Sequence, residues 1–286
     1  MENEQPPVIP PAGEGRATTE DNPSDASPQP QSRSTDRPAH TPRDERNGDH
    51  PSRPGALPPA PGRLHHALAT PWVPAALLTL LLAISWQVSD HGPLLHLDTA
   101  VRSALARAHA ALPAGTLRPA ADRVGELFSD LGNTVVAIPV LLFCAALATW
   151  LTRRAGHPRW WLPMTAAAGA ALLLPALVVP AKAWFGRPGP DGSPLLPGQW
   201  GWYPSGHTAT ATVAYGTAAV LLSRAAVRLR RRTALCVSTA LVVTGVGLGL
   251  LWRHYHWFLD VLAGWCLAGV VLWALARVLP AVDGRD

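Results

Sequence analysis

Lysine is almost missing from this chain: of 24 Lys and Arg residues, Lys182 is the single lysine. Cysteine is scarce too. Cys144, Cys236 and Cys266 all fall within apolar runs, and an odd count without pairing in loops argues against a disulfide framework or a metal cluster. They read as small apolar residues. No apolar h-region follows Met1, so no cleavable signal peptide is expected. Residues 1–66 lack aliphatic clusters and are rich in Pro, Ser, Asp, Glu and Arg. Such a segment cannot bury enough apolar surface to offset its ordering entropy, so it reads as a disordered, Pro-rich tail rather than a small folded domain.

Beyond the tail, long apolar runs alternate with short polar joints. Six runs stand out, at about 69–88, 132–151, 160–181, 205–223, 233–252 and 258–279. Each approaches the ~20 residues that a helix needs to cross a bilayer. Residues 67–286 are therefore expected to form an all-α, six-transmembrane-helix bundle. Arginine-rich segments precede the first run ("RLHH"), join the second to the third ("TRRAGHPR") and join the fourth to the fifth ("SRAAVRLRRRT"). Arginine in short loops marks the cytoplasmic side, and alternation over six spans puts all three segments there. The expectation is a multi-pass plasma-membrane protein with both termini cytoplasmic. Topology accounts for the "RLRRR" cluster without a nucleic-acid partner. The long joint 89–131 then lies outside, and "LDTAVRSALARAHAAL" reads as one interfacial amphipathic helix, with His91, His96 and His109 as surface residues.

The few charged residues near span ends carry the chemistry, because charge at such positions usually faces a functional cavity. Lys182 and Arg187 stand in "VVPAKAWFGRPGP", at the outer end of the third run. Ser205, Gly206 and His207 stand in "GWYPSGHTAT", at the outer start of the fourth. Arg253, His256 and Asp260 stand in "LLWRHYHWFLDVLAG", where the fifth run ends and the sixth begins. Three remote segments thus deliver polar groups to one face. Lys182 and Arg187 suit a phosphate cradle. Ser205 can cap the fourth helix while the Gly206 and His207 amides point at an anion, and glycine permits close approach. His256 and Asp260, four residues apart, share a helix face, so the carboxylate can fix the ring's tautomer. Two imidazoles beside a phosphate allow one to attack phosphorus and the other to protonate the leaving oxygen.

Taken in order, Lys…Arg-Pro, Pro-Ser-Gly-His and His-x3-Asp resemble the motifs of the type 2 phosphatidic acid phosphatase superfamily, which includes lipid phosphate phosphatases and vanadium haloperoxidases. The resemblance spans residues from about 69 to 279. It implies a six-helix membrane enzyme of the lipid phosphate phosphatase type that removes phosphate from lipid phosphomonoesters or diphosphates, without metal or cofactor, through a phosphohistidine. It implies His256 as nucleophile, Asp260 as its orienting partner, His207 as general acid, and Lys182, Ser205 and Gly206 as phosphate ligands. Two positions depart from the family pattern. Gly189-Pro190 stands where the first motif has Arg-Pro, and Leu250 stands where the third has its arginine. Arg187 and Arg253 are expected to serve from shifted positions, since a long side chain can span one helical turn.

The expected activity is hydrolysis of a polyprenyl diphosphate or a phosphatidate-like lipid at the outer face. Two alternatives keep the same residues: a lipid phosphotransferase delivering the headgroup to an alcohol, and a non-catalytic lipid-binding membrane protein.

Overall fold

Among the described residues each of the six apolar runs folds as a helix, the first from residue 72, and the joint 89–131 adds two more. The computed structural model describes residues 72–225 and 229–279. The expected tail, 1–66, and its disorder lie outside the described residues. Among those described, the helices are α1 (Trp72–Ser89), α2 (Leu95–Ala111), α3 (Leu117–Leu131), α4 (Thr134–Arg154), α5 (Leu162–Phe185), α6 (Gly206–Ala225), α7 (Leu229–Trp252) and α8 (Phe258–Val278). All lie in one compact unit.

The helix ends follow from local sequence. Asn133 starts α4 by accepting the Val135 amide at 3.3 Å. Gly186, in the left-handed region at φ 51°, ends α5, and Pro188 prevents its continuation. Pro139 lies inside α4, and Pro175 and Pro180 inside α5. Packed neighbouring helices make such interior prolines tolerable in membrane spans.

Five helices, all except α2, α3 and α6, contain stretches long and apolar enough to cross a membrane. The run at 205–223 forms the twenty-residue α6 but falls outside that class, because "GHTATATVAYGT" is rich in threonine. Its position explains the composition. α6 packs against α4, α5, α7 and α8, and eleven of its residues are buried. A helix enclosed by helices has little need of lipid-facing aliphatic side chains. By contrast, α1 buries only Ile84 and Val88 and exposes Leu78, Leu82 and Trp86. Small residues bring α4, α5 and α6 together: Ala137, Ala145, Ala148, Ala167, Ala214 and Ala218 are all buried in one cluster.

The joint 89–131 departs from the single interfacial helix expected. "LPAG" at 112–115 breaks the pattern, and two helices form, α2 packing on α8 and α3 on α7. This cover has a consequence for the site, because α2 buries Asp98 to 2% exposure.

Candidate active site

The end of α5 and the segment returning to α6 are held by a backbone clamp. The Gly201 amide donates to the Lys182 carbonyl at 3.1 Å, and the Trp202 amide donates to the Arg187 carbonyl at 2.9 Å. A Cβ at Gly201 would lie 2.7 Å from both the Arg187 nitrogen and the Lys182 oxygen, so only glycine fits. Lys182 Nζ donates back to the Gly201 carbonyl at 3.0 Å. The lysine stem passes over α6, with its Cε 3.6 Å from where a Gly206 Cβ would sit. Tyr203 anchors the same segment through a 2.8 Å bond between its hydroxyl and Ser85. Burial pushes its phenol up to about 12, so it stays protonated.

The first turn of α6 leaves backbone donors open. Ser205 Oγ accepts the Thr208 amide at 3.3 Å and the Thr208 hydroxyl at 2.9 Å. The Gly206 and His207 amides take no acceptor among the described residues, which is the condition of a helix N-terminus open to a ligand. α6 and α8 are joined at this level: the Ser205 amide donates to the Asp260 carbonyl at 3.0 Å. A Cβ on Gly264 would come within 2.9 Å of the Ser205 carbonyl. His207 packs against Gly132, lies within electrostatic reach of Lys182 and His256, and forms no side-chain hydrogen bond among the described residues.

His256 sits just before α8, buried, with its Nδ1 3.3 Å from Asp260 Oδ2 and its ring edge-on to Trp202 at 5.3 Å between centroids. The same carboxylate oxygen accepts the Trp257 amide at 3.2 Å, so Asp260 also closes the first turn of α8. Asp260 Oδ2 can only accept, which makes Nδ1 the protonated ring nitrogen and leaves Nε2 with its lone pair. Burial holds the imidazole below the usual histidine range, against the opposing pull of Asp260, and so favours the neutral ring.

The structure brings Lys182, Ser205, Gly206, His207, His256 and Asp260 to one end of the bundle. The two arginines behave otherwise. Arg187 is not turned toward an anion seat. It bridges Asp260 Oδ1 and Asp98 Oδ2, at 2.5 Å each, and is 7% exposed. A guanidinium so placed gains more from two buried carboxylates than from a transient ligand. Arg253 lies in a different cluster. It donates to Glu126 at 2.8 Å, approaches Asp122 at 3.7 Å and keeps a third of its side chain exposed. Leu250, at the family's arginine position, is buried in an apolar cluster with Val246 and Val261. The expectation that both arginines compensate for shifted positions is thus not met by their partners.

Asp98 is the residue that sequence reading missed. Besides Arg187, it accepts the Leu259 amide at 2.8 Å. Burial raises its carboxyl above the usual range, opposed by Arg187 and that amide. A signal was present, because Asp98 shares one face of α2 with Val101 and Leu105, which pack on the α7–α8 core. An acid in line with an apolar stripe needs a partner. His109, expected at the surface, is half-buried and pairs with Asp122 at 3.1 Å. Among the described residues no group of three or more His, Cys, Asp and Glu converges as metal ligands do.

The chain is thus an all-helical bundle with several membrane-length helices that carries, at one end, a His–Asp pair beside a lysine and an open helix N-terminus. Residues 159–283 match the PAP2 superfamily, the family that the motifs resemble. That segment holds every sequence-derived site residue and excludes Asp98. The fold is similar to that of the first transmembrane PAP2-type phosphatidylglycerolphosphate phosphatase from Bacillus subtilis. The TM-score is 0.56 at 20% identity, over 72% of this chain and 94% of that one. No curated protein gives a significant match.

Proposed function

We propose that the chain is an integral membrane phosphatase that hydrolyses a lipid phosphomonoester or diphosphate at the outer face of the plasma membrane. The observation that carries this reading is the meeting of the Asp260-oriented His256, the single lysine and the open α6 N-terminus at one end of the bundle. The match of residues 159–283 to the PAP2 superfamily supports it. The arginine distribution supports the outer orientation.

The phosphoryl group sits on the Gly206 and His207 amides with Lys182 against its oxygens. His256 Nε2 attacks phosphorus, forming a P–N bond as the P–O bond to the lipid breaks, and His207 protonates the departing oxygen. Asp260 holds the Nδ1 proton and stabilises the ring as its charge grows. Water then attacks phosphorus, His207 takes its proton, and the P–N bond breaks to release phosphate and the free imidazole. With Arg187 held by carboxylates, charge on the phosphoryl oxygens is met by Lys182, the α6 amides and the helix dipole.

Purified protein offered phosphatidate, phosphatidylglycerophosphate and a polyprenyl diphosphate is expected to release inorganic phosphate from at least one of them. Release should survive EDTA and vanish in His256→Ala. Turnover only after an alcohol acceptor is added would convert the reading to a phosphotransferase. Absence of turnover under every condition would leave a lipid-binding protein.

A further inference from the structure

Asp98 comes from α2, outside the family-matched segment, and the reaction above makes no use of it. Its contacts nevertheless lead straight to the proposed nucleophile. Asp98 Oδ2 binds one terminal nitrogen of Arg187, the other binds Asp260 Oδ1, and Asp260 Oδ2 faces His256 Nδ1. Asp98 Oδ1 meanwhile accepts the amide of Leu259, in the first turn of the helix that carries Asp260. Both Asp98 and Asp260 are essentially inaccessible, at 2% and 0% exposure, and the Arg187 guanidinium lies over the Trp257 ring at 5.5 Å. Enclosed by two carboxylates and an indole, Arg187 has a fixed position and passes it on to Asp260.

We infer that Asp98 is a positioning residue of the phosphoryl-transfer site, acting through Arg187 to fix the Asp260 carboxylate and hence the His256 ring. The inference rests on the proposed function for its reaction, but its geometry stands independently. It assigns Arg187 to the support of the nucleophile and leaves the anion to Lys182 and α6. It also makes α2 part of the catalytic architecture. The charged and titratable groups around His256 are Lys182 from α5, Arg187 from the following turn, His207 from α6 and Asp260 from α8, with Asp98 one contact beyond and Arg102 of α2 and His254 lining the same cavity. Without the Asp98 charge, Arg187 would be only half compensated, and its excess positive charge would disfavour protonation of His256.

Asp98→Asn tests this, since asparagine keeps the size and an acceptor for the Leu259 amide but removes the charge. The expected result is a fall in kcat of about 10²-fold, typical of a misplaced reacting group, with inhibition by inorganic phosphate unchanged. An undiminished kcat, or phosphate inhibition that changes in step with kcat, overturns the inference. A second measurement needs no turnover: the rate of His256 acylation by diethyl pyrocarbonate, followed against pH by mass spectrometry of its peptide. The midpoint should fall in Asp98→Asn, and an unmoved midpoint overturns the inference. If wild-type protein releases phosphate from no lipid, the functional reading fails while this titration still decides the role of Asp98. Should Asp98→Asn not survive extraction, Asp98→Glu displaces the carboxylate by one methylene. A reduced kcat at constant phosphate inhibition then supports the inference, and a wild-type kcat refutes it.

Discussion

The N-termini of α6 and α8 meet at the same end of the bundle, yet they are finished in opposite ways. The first turn of α8 receives two carboxylates: Asp260 accepts the Trp257 amide, and Asp98 accepts that of Leu259. The first turn of α6 contains no acid and leaves the Gly206 and His207 amides without protein acceptors among the described residues. Both helix ends carry a partial positive charge. One is compensated internally and holds the turn beside His256, and the other stays open, where the proposed function places the anion of a ligand. A catalytic site needs both: a nucleophile that does not move and a seat that is not already taken.

The sharpest way to break this contrast is to disable the filled end. Asp260→Asn turns one of two acceptor oxygens into a donor, so the side chain can no longer accept from both the His256 ring and Arg187, and Arg187 is left with one carboxylate. Turnover is expected to drop by about 10⁴-fold, as when the acid of a catalytic triad is amidated. Stability should drop as well, because breaking a buried ion pair costs ~3–5 kcal/mol. Steady-state kinetics beside thermal unfolding in detergent would measure both. The open end is probed by Lys182→Met, which keeps the stem across Gly206 and deletes the charge. A loss of about 10²–10³ in kcat/KM is expected, with folding intact and inhibition by inorganic phosphate weakened. A Met variant that keeps its phosphate inhibition would show that the lysine is not an anion ligand.

How much of this was legible in the sequence depends on where each signal lies. Arginine placement and run length pointed to the bundle, and the three motifs gave the residues that meet at its end. The run at 205–223, expected as a span, folds as α6 but is too polar to count among the membrane-length apolar helices, because its neighbours enclose it. The pairing choices were not legible. Whether Arg187 turns to a phosphate or to Asp98 depends on α2 folding back over α8, and nothing in "RPGP" encodes that contact. Asp98 itself was hidden in a segment read as interfacial, where an acid in the first turn needs no explanation. Its register with Val101 and Leu105 was the overlooked clue. The pairing of Arg253 was hidden for a related reason: its partners, Asp122 and Glu126, lie on α3, a helix the sequence reading did not resolve.

Smaller effects refine the picture. With His256 kept neutral by burial, its protonation should cut activity only below the pH range where an ordinary histidine titrates. The sign follows from the roles: a protonated His256 ring cannot attack, so the acid limb falls as pH drops through its folded pKa, while the alkaline limb belongs to His207, which must carry its proton to donate to the leaving oxygen. A pH profile of kcat/KM with its acid limb above that of free imidazole would contradict the assignment. Gly264→Ala tests the seam between the two ends, because the new Cβ would press on the Ser205 carbonyl and on Thr208. Overpacking of this kind costs about 1–3 kcal/mol. The loss should appear in thermal stability, with a reduced kcat from the shifted α6 turn.

The smallest effect is expected at Arg253, and it discriminates most finely between motif and geometry. By sequence position Arg253 is the nearest substitute for the arginine that Leu250 replaces, so a motif-based account makes it a phosphate ligand. In the structure its guanidinium is committed to Glu126, with Tyr255 sharing the same carboxylate and Asp122 close by, at the α3–α7 contact. Partly exposed pairs of this kind contribute about 0–1 kcal/mol. Arg253→Gln is therefore expected to leave kcat/KM within about threefold of wild type, a difference below 1 kcal/mol, and to lower the unfolding temperature slightly. A phosphate-binding arginine would instead lose about 10²-fold or more on the same substitution. Inhibition by inorganic phosphate gives the cleaner reading, since it is insensitive to small changes in the chemical step. If it weakens in Arg253→Gln as much as in Lys182→Met, the anion seat extends to the end of α7, and the division of labour between the two helix ends must be redrawn.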